Sequence, residues 1–298
     1  MSHAGLVLLR HLADKTGLTG GLSRALATPR ILVHDRGRVL ADLACAVADG
    51  ARVISDFRVM CDQRELFGLV ASVPTVWRTL AEIARGGARA DRRITAAVSM
   101  ARRYAWAQGV ARHGGLPGVR LADKMLDGVV CIRLDATVTV AHSDKELAEA
   151  NFKGYGHHPL VAVCDNTGGE PLAWMLRRGS AGSNTAADHI GLADAAIAAL
   201  PPGFRRQLMV TCDGAGASHA LVAHLDKLAG RRGFELTYSV GWVLGEREKA
   251  ALRLVPEQAW QIAIDGCGRS ASAAPMTPAR TSAARTGPAG SRKRTSPS

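Results

Sequence analysis

No apolar run in this chain approaches the roughly 18 to 20 residues that cross a bilayer, and the stretch Gly5 to Leu9 is too short for a signal-peptide core. A membrane partner is therefore excluded from the reading, and a cytoplasmic protein is expected. Paired cysteines are missing too. Cys45, Cys61, Cys131, Cys164, Cys212 and Cys267 lie far apart, with neither CxxC pairs nor the dense spacing of a secreted disulfide scaffold. They are expected to be reduced, small, apolar residues. Acidic residues are in short supply, 26 against 38 Lys+Arg, for a formal charge of +12.

What is present suffices for a globular protein. With 298 residues, 47% of them hydrophobic, the chain can bury one large core or two modest ones. The charge is uneven. Residues 1–128 carry 19 Lys+Arg against 11 Asp+Glu, residues 129–267 carry 13 against 15, and residues 268–298 carry 6 against none. A basic front beside a slightly acidic middle suits a polyanion-binding module joined to a chemical core. Most of the cations are Arg, which suits bidentate phosphate or guanine contacts, although a GC-rich gene gives the same bias.

The front, residues 1–127, reads as mainly helical. Asp35 can cap a helix in which Val39, Leu40, Leu43 and Val47 fall at three- and four-residue spacing, and Gly50 stops it. Residues 65–84 outline a helix-turn-helix, two short amphipathic helices separated by Ser72-Val73-Pro74-Thr75. On that reading Thr75, Arg78 and Thr79 would face a DNA groove; an ordinary helical hairpin gives the same pattern. Arg85–Arg93 reads as a basic linker, followed by a helix from about Ile94 to Val110.

From Gly128 the texture alternates. The order of elements over 128–266 is strand, strand, strand, helix, strand, helix, strand, which points to an α/β mixed sheet with helices on its faces. The last 31 residues contain no Leu, Val, Ile, aromatic or acidic residue, so the tail, 267–298, is expected to be disordered and basic.

Two apolar runs end alike: Asp135 closes VVCIRL, and Asp213 closes QLMVTC before a Gly-rich turn. Carboxylates delivered by neighbouring strands to one sheet edge can hold hard divalent cations, Mg²⁺ above all, and two such ions serve phosphoryl transfer. Gly214 and Gly216 would let the backbone approach a phosphate. Strand-terminating aspartates that merely cap turns would look the same. Lys153 and the pair Arg177-Arg178 can neutralise phosphates, or can simply be exposed cations. His157 and His158 read as turn residues or polar DNA contacts rather than metal ligands, because no Cys or His partner is suitably spaced. Trp174 and Trp242 could stack on bases, but their place within strands points to core packing.

The blocks LDATVTVAHSDKE, NFKGYGHHPLVAVCDNTGGEPLAWMLRRGSAGSNTAADH and VTCDGAGASH, in that order, resemble insertion-sequence DDE transposases of the IS-thirteen-eighty group. The resemblance runs from about Gly5 to Gly266. It implies a ribonuclease-H-like core, Mg²⁺ (or Mn²⁺) as cofactor, and cutting and joining at terminal inverted repeats and target DNA. It also implies Asp135 and Asp213 as the first two catalytic, metal-binding carboxylates, a homodimer that pairs two ends, and a location at the nucleoid. One feature of the family has no counterpart: a later Glu in a segment with Tyr, Arg, Glu and Lys at set intervals. Glu235, Glu246, Glu248, Glu257 and Asp265 follow the fifth strand too closely. A frameshifted, truncated copy is therefore expected, with a non-catalytic end-binding remnant or regulator, or a resolvase-like nuclease, as alternatives.

Overall fold

The computed structural model describes residues 3–121, 124–141, 144–182, 185–259 and 282–286. The chain divides into two compact units after Gly114, thirteen residues before the boundary at 127 expected from sequence. No helix among the described residues is long and apolar enough to cross a membrane.

The first unit is helical: α1 (Gly5–Lys15), α2 (Leu18–Ala25), α3 (Arg36–Ala48), α4 (Arg58–Cys61), α5 (Arg64–Phe67), α6 (Val73–Arg85) and α7 (Gly87–His113). α3 forms as its sequence dictates. The Asp35 carboxylate accepts the Arg38 amide at 2.8 Å, satisfying an orphan donor of the first turn, and Gly50 follows at φ +107°. Its apolar stripe meets Leu6, Phe57, Met60, Phe67 and Val76 in one core.

The expected helix-turn-helix differs from what is found. α5 is a single turn, stopped by Gly68 at φ +66°, and Ser72 to Thr75 are not a turn but the start of α6. Pro74 misled the reading: proline is well tolerated in a first helical turn, whose N–H groups lack partners anyway. The basic linker expected at Arg85–Arg93 is helical as well. Gly86 ends α6, Gly87 turns the chain at φ +50°, and α7 runs on for 27 residues.

Beneath α1 lies a buried ion pair. Arg10 Nε approaches Asp42 Oδ1 at 2.8 Å, and Arg10 Nη1 also donates to the Phe67 carbonyl at 2.7 Å. Burial pushes the Asp42 carboxyl above its ordinary range, while Arg10 and Arg38 pull it back.

The second unit opens with a hairpin, β1 (Val119–Leu121) and β2 (Lys124–Leu126), and then enters its main sheet with β3 (Val130–Ala136). A small three-stranded sheet follows, formed by β4 (Thr139–Val140), β5 (Glu149–Asn151) and β6 (Gly154–His157). The main sheet resumes with β7 (Leu160–Cys164) and β8 (Glu170–Met175). It is completed by α8 (Ala186–Ala199), β9 (Gln207–Cys212), α9 (His219–Ala229) and β10 (Glu235–Val243), with α10 (Glu246–Leu252) beyond. Its order is β11-β10-β9-β3-β7-β8, where β11 is Ser282–Thr286. β3, β7 and β8 are antiparallel neighbours, β9 is parallel to β3, and β10 is parallel to β9. This is the mixed α/β sheet, preceded by helices, that the alternating texture called for, and it fits the ribonuclease-H-like core that the resemblance implied.

β11 falls within the tail expected to be disordered and pairs antiparallel with β10; the rest of that tail lies outside the described residues. So does Asp265.

Alternation along the strands sorts the sheet into two faces. Ile132, Leu134, Leu160, Ala162, Val210, Tyr238 and Val240 are buried. α8 lies along β3, β7 and β8, and α9 along β10, bringing Leu192, Ala196, Leu221 and Leu225 into the core. The two helices are tied by His224 Nε2 to Asp194 at 2.8 Å, and Tyr238 donates to Asp226 at 2.7 Å.

Arg10→Ala leaves the Asp42 carboxylate buried without its counter-ion. A loss of about 3 kcal/mol in unfolding free energy is expected, read from urea denaturation. A loss below about 1 kcal/mol would show that Asp42 is accommodated without Arg10.

Candidate active site

The register of the main sheet decides which residues meet. Leu134 of β3 is paired with Cys212 of β9. One residue further on, Asp135 and Asp213 leave their parallel strands side by side, both exposed. On the other flank Asp135 is paired with Val161, and Val161 with Trp174. Beyond Asp213, the pairing of Cys212 with Val240 sets Gly241 next in line. Trp174, Val161, Asp135, Asp213 and Gly241 therefore form one row across five strands. It lies on the face opposite the one that α8 and α9 cover.

Close packing holds the second carboxylate in that row. Asp213 is followed by a 3-10 turn, Gly214–Gly216. A Cβ at Gly241 would lie 3.0 Å from the Gly214 amide nitrogen and 3.2 Å from the Asp213 carbonyl carbon, so a side chain there would push the turn away. A Cβ at Gly216 would collide with the Cys212 thiol and the His189 imidazole. His189 is itself buried in α8, its Nδ1 3.0 Å from the Thr185 carbonyl oxygen. Burial, reinforced by the nearby charges of Asp213 and Asp135, pushes the Cys212 thiol up to about 12. It is a protonated packing group, as expected for these cysteines.

Arg133 was not anticipated. It stands two residues before Asp135, hence on the same face, with Nη1 3.3 Å from Asp135 Oδ2 and Nε 3.2 Å from Asp165 Oδ1. One guanidinium thus spans two carboxylates, about half exposed. Period-two alternation from Asp135 was the signal that could have found it. Asp165 gives no such sign, because it reaches Arg133 from the end of β7.

The remaining sequence candidates are dispersed. Thr79 is only 6% exposed, and its hydroxyl donates to the Thr75 carbonyl at 2.9 Å, so it is a core residue of α6 and not a groove contact. Arg78 is exposed and donates to Thr75 Oγ1 at 3.1 Å. Arg177 is 5% exposed and binds the carbonyls of His158 at 2.9 Å and Gly182 at 3.0 Å, with Asp188 at 3.3 Å. Through Nε and Nη1 it holds the segment before β7, while its Nη2 is buried without a hydrogen-bond partner; this burial corrects its reading as a surface cation. Arg178 is exposed and paired with Glu149 at 2.6 Å. Lys153 sits at the exposed tip between β5 and β6, its Nζ 5.6 Å from the centre of the Phe152 ring. His157 ends β6, its Nε2 3.0 Å from the Glu146 carbonyl oxygen, and His158 is buried just beyond it, Nδ1 2.8 Å from the Ala181 carbonyl oxygen, so neither lies in a turn. Trp242 packs, its ring 5.3 Å from that of His219; Trp174 does not, and stands 65% exposed.

The donor set suits a hard cation: two carboxylates in one row, with no thiolate or imidazole among the exposed donors there. Among the described residues no three acidic, His or Cys side chains are grouped to hold a metal. Glu246 is bound to Lys249 at 2.7 Å, and Glu248 caps the Gly245 amide at 3.0 Å. Glu235 lies at the opposite end of its strand, beside Gln207.

A family model described as transposase DDE domain group 1 matches residues 1–264. No curated protein matches the chain.

Two outcomes test this packing. Gly216→Ala should lower stability by about 2 kcal/mol in thermal or urea unfolding, since the added methyl has no space beside Cys212 and His189. The raised thiol stabilises the fold below its ordinary value of 9.0, and that contribution fades as pH climbs toward about 12. Cys212→Ala should therefore flatten the alkaline loss of stability between pH 9 and 12; an unchanged alkaline limb would deny the thiol that role.

Proposed function

We infer the function from this premise: the chain belongs to the transposase DDE domain group 1 family, whose members cleave and join DNA. The specific reading is a transposase of the IS-thirteen-eighty group, acting on the terminal inverted repeats of an insertion sequence and on target DNA, at the nucleoid and as a homodimer pairing two ends. One observation supports it above the others. Asp135, near the end of β3, and Asp213, just after β9, are distant in sequence yet come side by side at the ends of two adjacent parallel strands in the middle of the sheet.

Asp135 and Asp213 would hold Mg²⁺ or Mn²⁺, which when bound activates the attacking oxygen and neutralises the leaving oxygen of a phosphodiester. The chain's own residues prepare the rest. The buried rows beneath β3 and β9 fix the two carboxylates by their backbones, so little reorganisation is needed. Gly214, where a Cβ would meet nothing closer than 3.8 Å, leaves the main chain after Asp213 room for a phosphate, while Gly216 serves the packing behind it. Arg133 balances the charge of Asp135 until DNA arrives, with Asp165 as its alternative partner. Exposed Lys153, Arg178 and Arg78, with Thr75, can take phosphates of the flanking duplex. Thr79 and Arg177, being buried, are left out of that set.

The test is metal-dependent cleavage of DNA carrying the flanking repeats. With no third acid grouped at the site among the described residues, end binding with little or no nicking is expected; nicking with Mg²⁺ that is lost with chelator and falls at least about 1000-fold in Asp135→Ala and in Asp213→Ala would show a complete site. Binding without cleavage would make the chain an end-binding protein or regulator of transposition. Cleavage that survives Asp135→Ala would dissolve the assigned site.

A further inference from the structure

Trp174 is the residue of the carboxylate row that the reading above leaves without a task. Its indole is 65% exposed although it sits in a strand, and β8 is the outer strand of its sheet. Single exposed apolar side chains are common and need no explanation; here the argument is placement. The pairs Asp135–Val161 and Val161–Trp174 put the indole on the same face as Asp135, two strand spacings away, about 10 Å across the sheet. Val161, the residue between them, is half-buried, so no bulky polar group intervenes. At the other end of the row Gly241 presents no side chain. An approaching strand thus meets an aromatic plate on one side of the carboxylates and, on the other, the turn after Asp213 packed against Gly241. The residues one step along the same face, Arg133 and Val163, add a cation and an aliphatic surface.

We propose that Trp174 is a stacking platform for an unpaired nucleobase of the DNA strand whose phosphate lies at Asp135 and Asp213. This rests on the transposase reading of the site. An indole offers every base a face of matching shape, so the platform discriminates unpaired from paired nucleotides, not one sequence from another. In a duplex the bases are already stacked on each other and cannot use it. The preference would favour a strand distorted or opened beside the bond to be cut.

The experiment compares binding of the full chain to a blunt duplex and to the same duplex with a two-nucleotide mismatch bubble, followed by tryptophan fluorescence. The bubble is expected to bind about tenfold tighter and to quench emission. Trp174→Ala should bring the two affinities within about twofold of each other while duplex binding stays within about twofold of the parent. Trp174→Phe should keep most of the preference and lose the quench. Trp77, 62% exposed in the first unit, is the control, and Trp77→Phe should keep both. A bubble preference that persists in Trp174→Ala, or a quench that persists in Trp174→Phe, overturns the proposal. Equal binding of both probes by the parent overturns it while leaving DNA binding intact; binding of neither removes the transposase reading and this inference with it.

Discussion

The pairing of β3 with β9 is the constraint on which the candidate site depends. Each strand brings one carboxylate, and only the register that sets Leu134 against Cys212 brings Asp135 and Asp213 level. Because side chains alternate, a one-residue slip would send one of the pair into the apolar layer and expose a core residue in exchange. Ile132, Leu134, Val210 and Cys212 are all buried beneath that pairing, so hydrophobic burial enforces the register of the acids. The chemistry has no hold of its own on that geometry. It is inherited from the core one residue away.

The same logic explains why so much support lies just behind the site. Cys212, His189, Gly216 and Gly241 touch no substrate in the proposed mechanism, yet each fits the turn that follows Asp213. Well-packed surroundings of this kind accept neither a lost nor an added methyl group cheaply. Arg133 acts differently, as a half-exposed counter-charge at the surface, where water screens it and its worth to stability is small. Fixed packing therefore sets where the carboxylates are, and an exposed ion pair sets the field they stand in.

The parts of this arrangement legible in the sequence were those governed by local chemistry. Asp35 read as a cap and is one; three strands followed by alternating helix and strand read as a mixed sheet and are one; two aspartates at the ends of apolar runs read as neighbours and leave adjacent strands. Features decided by distant partners were not legible. Arg177 looks like any surface arginine until the carbonyls of His158 and Gly182 close on it. Thr79 reads as a groove residue until the core of the first unit covers its side of α6. Local signals also misled where two structures share one signature, as with Pro74, which starts a helix as readily as it breaks one.

Trp174 shows the limit from the other side. An aromatic residue in a strand is most often core, and its neighbour Leu172 is indeed buried. What separates the two is parity on an outer strand, shifted by the irregularity between Ala162 and Val163 that offsets β7 against β8. Counting by twos from Leu172 would place Trp174 in the core with it. The bulge inserts an extra residue, so Trp174 follows Asp135 and not Leu172. A single irregular position therefore decides whether the indole belongs to the core or to the face that carries the acids, and its one local mark is Pro171 beside it, a residue that sheets keep to edge strands and bulges.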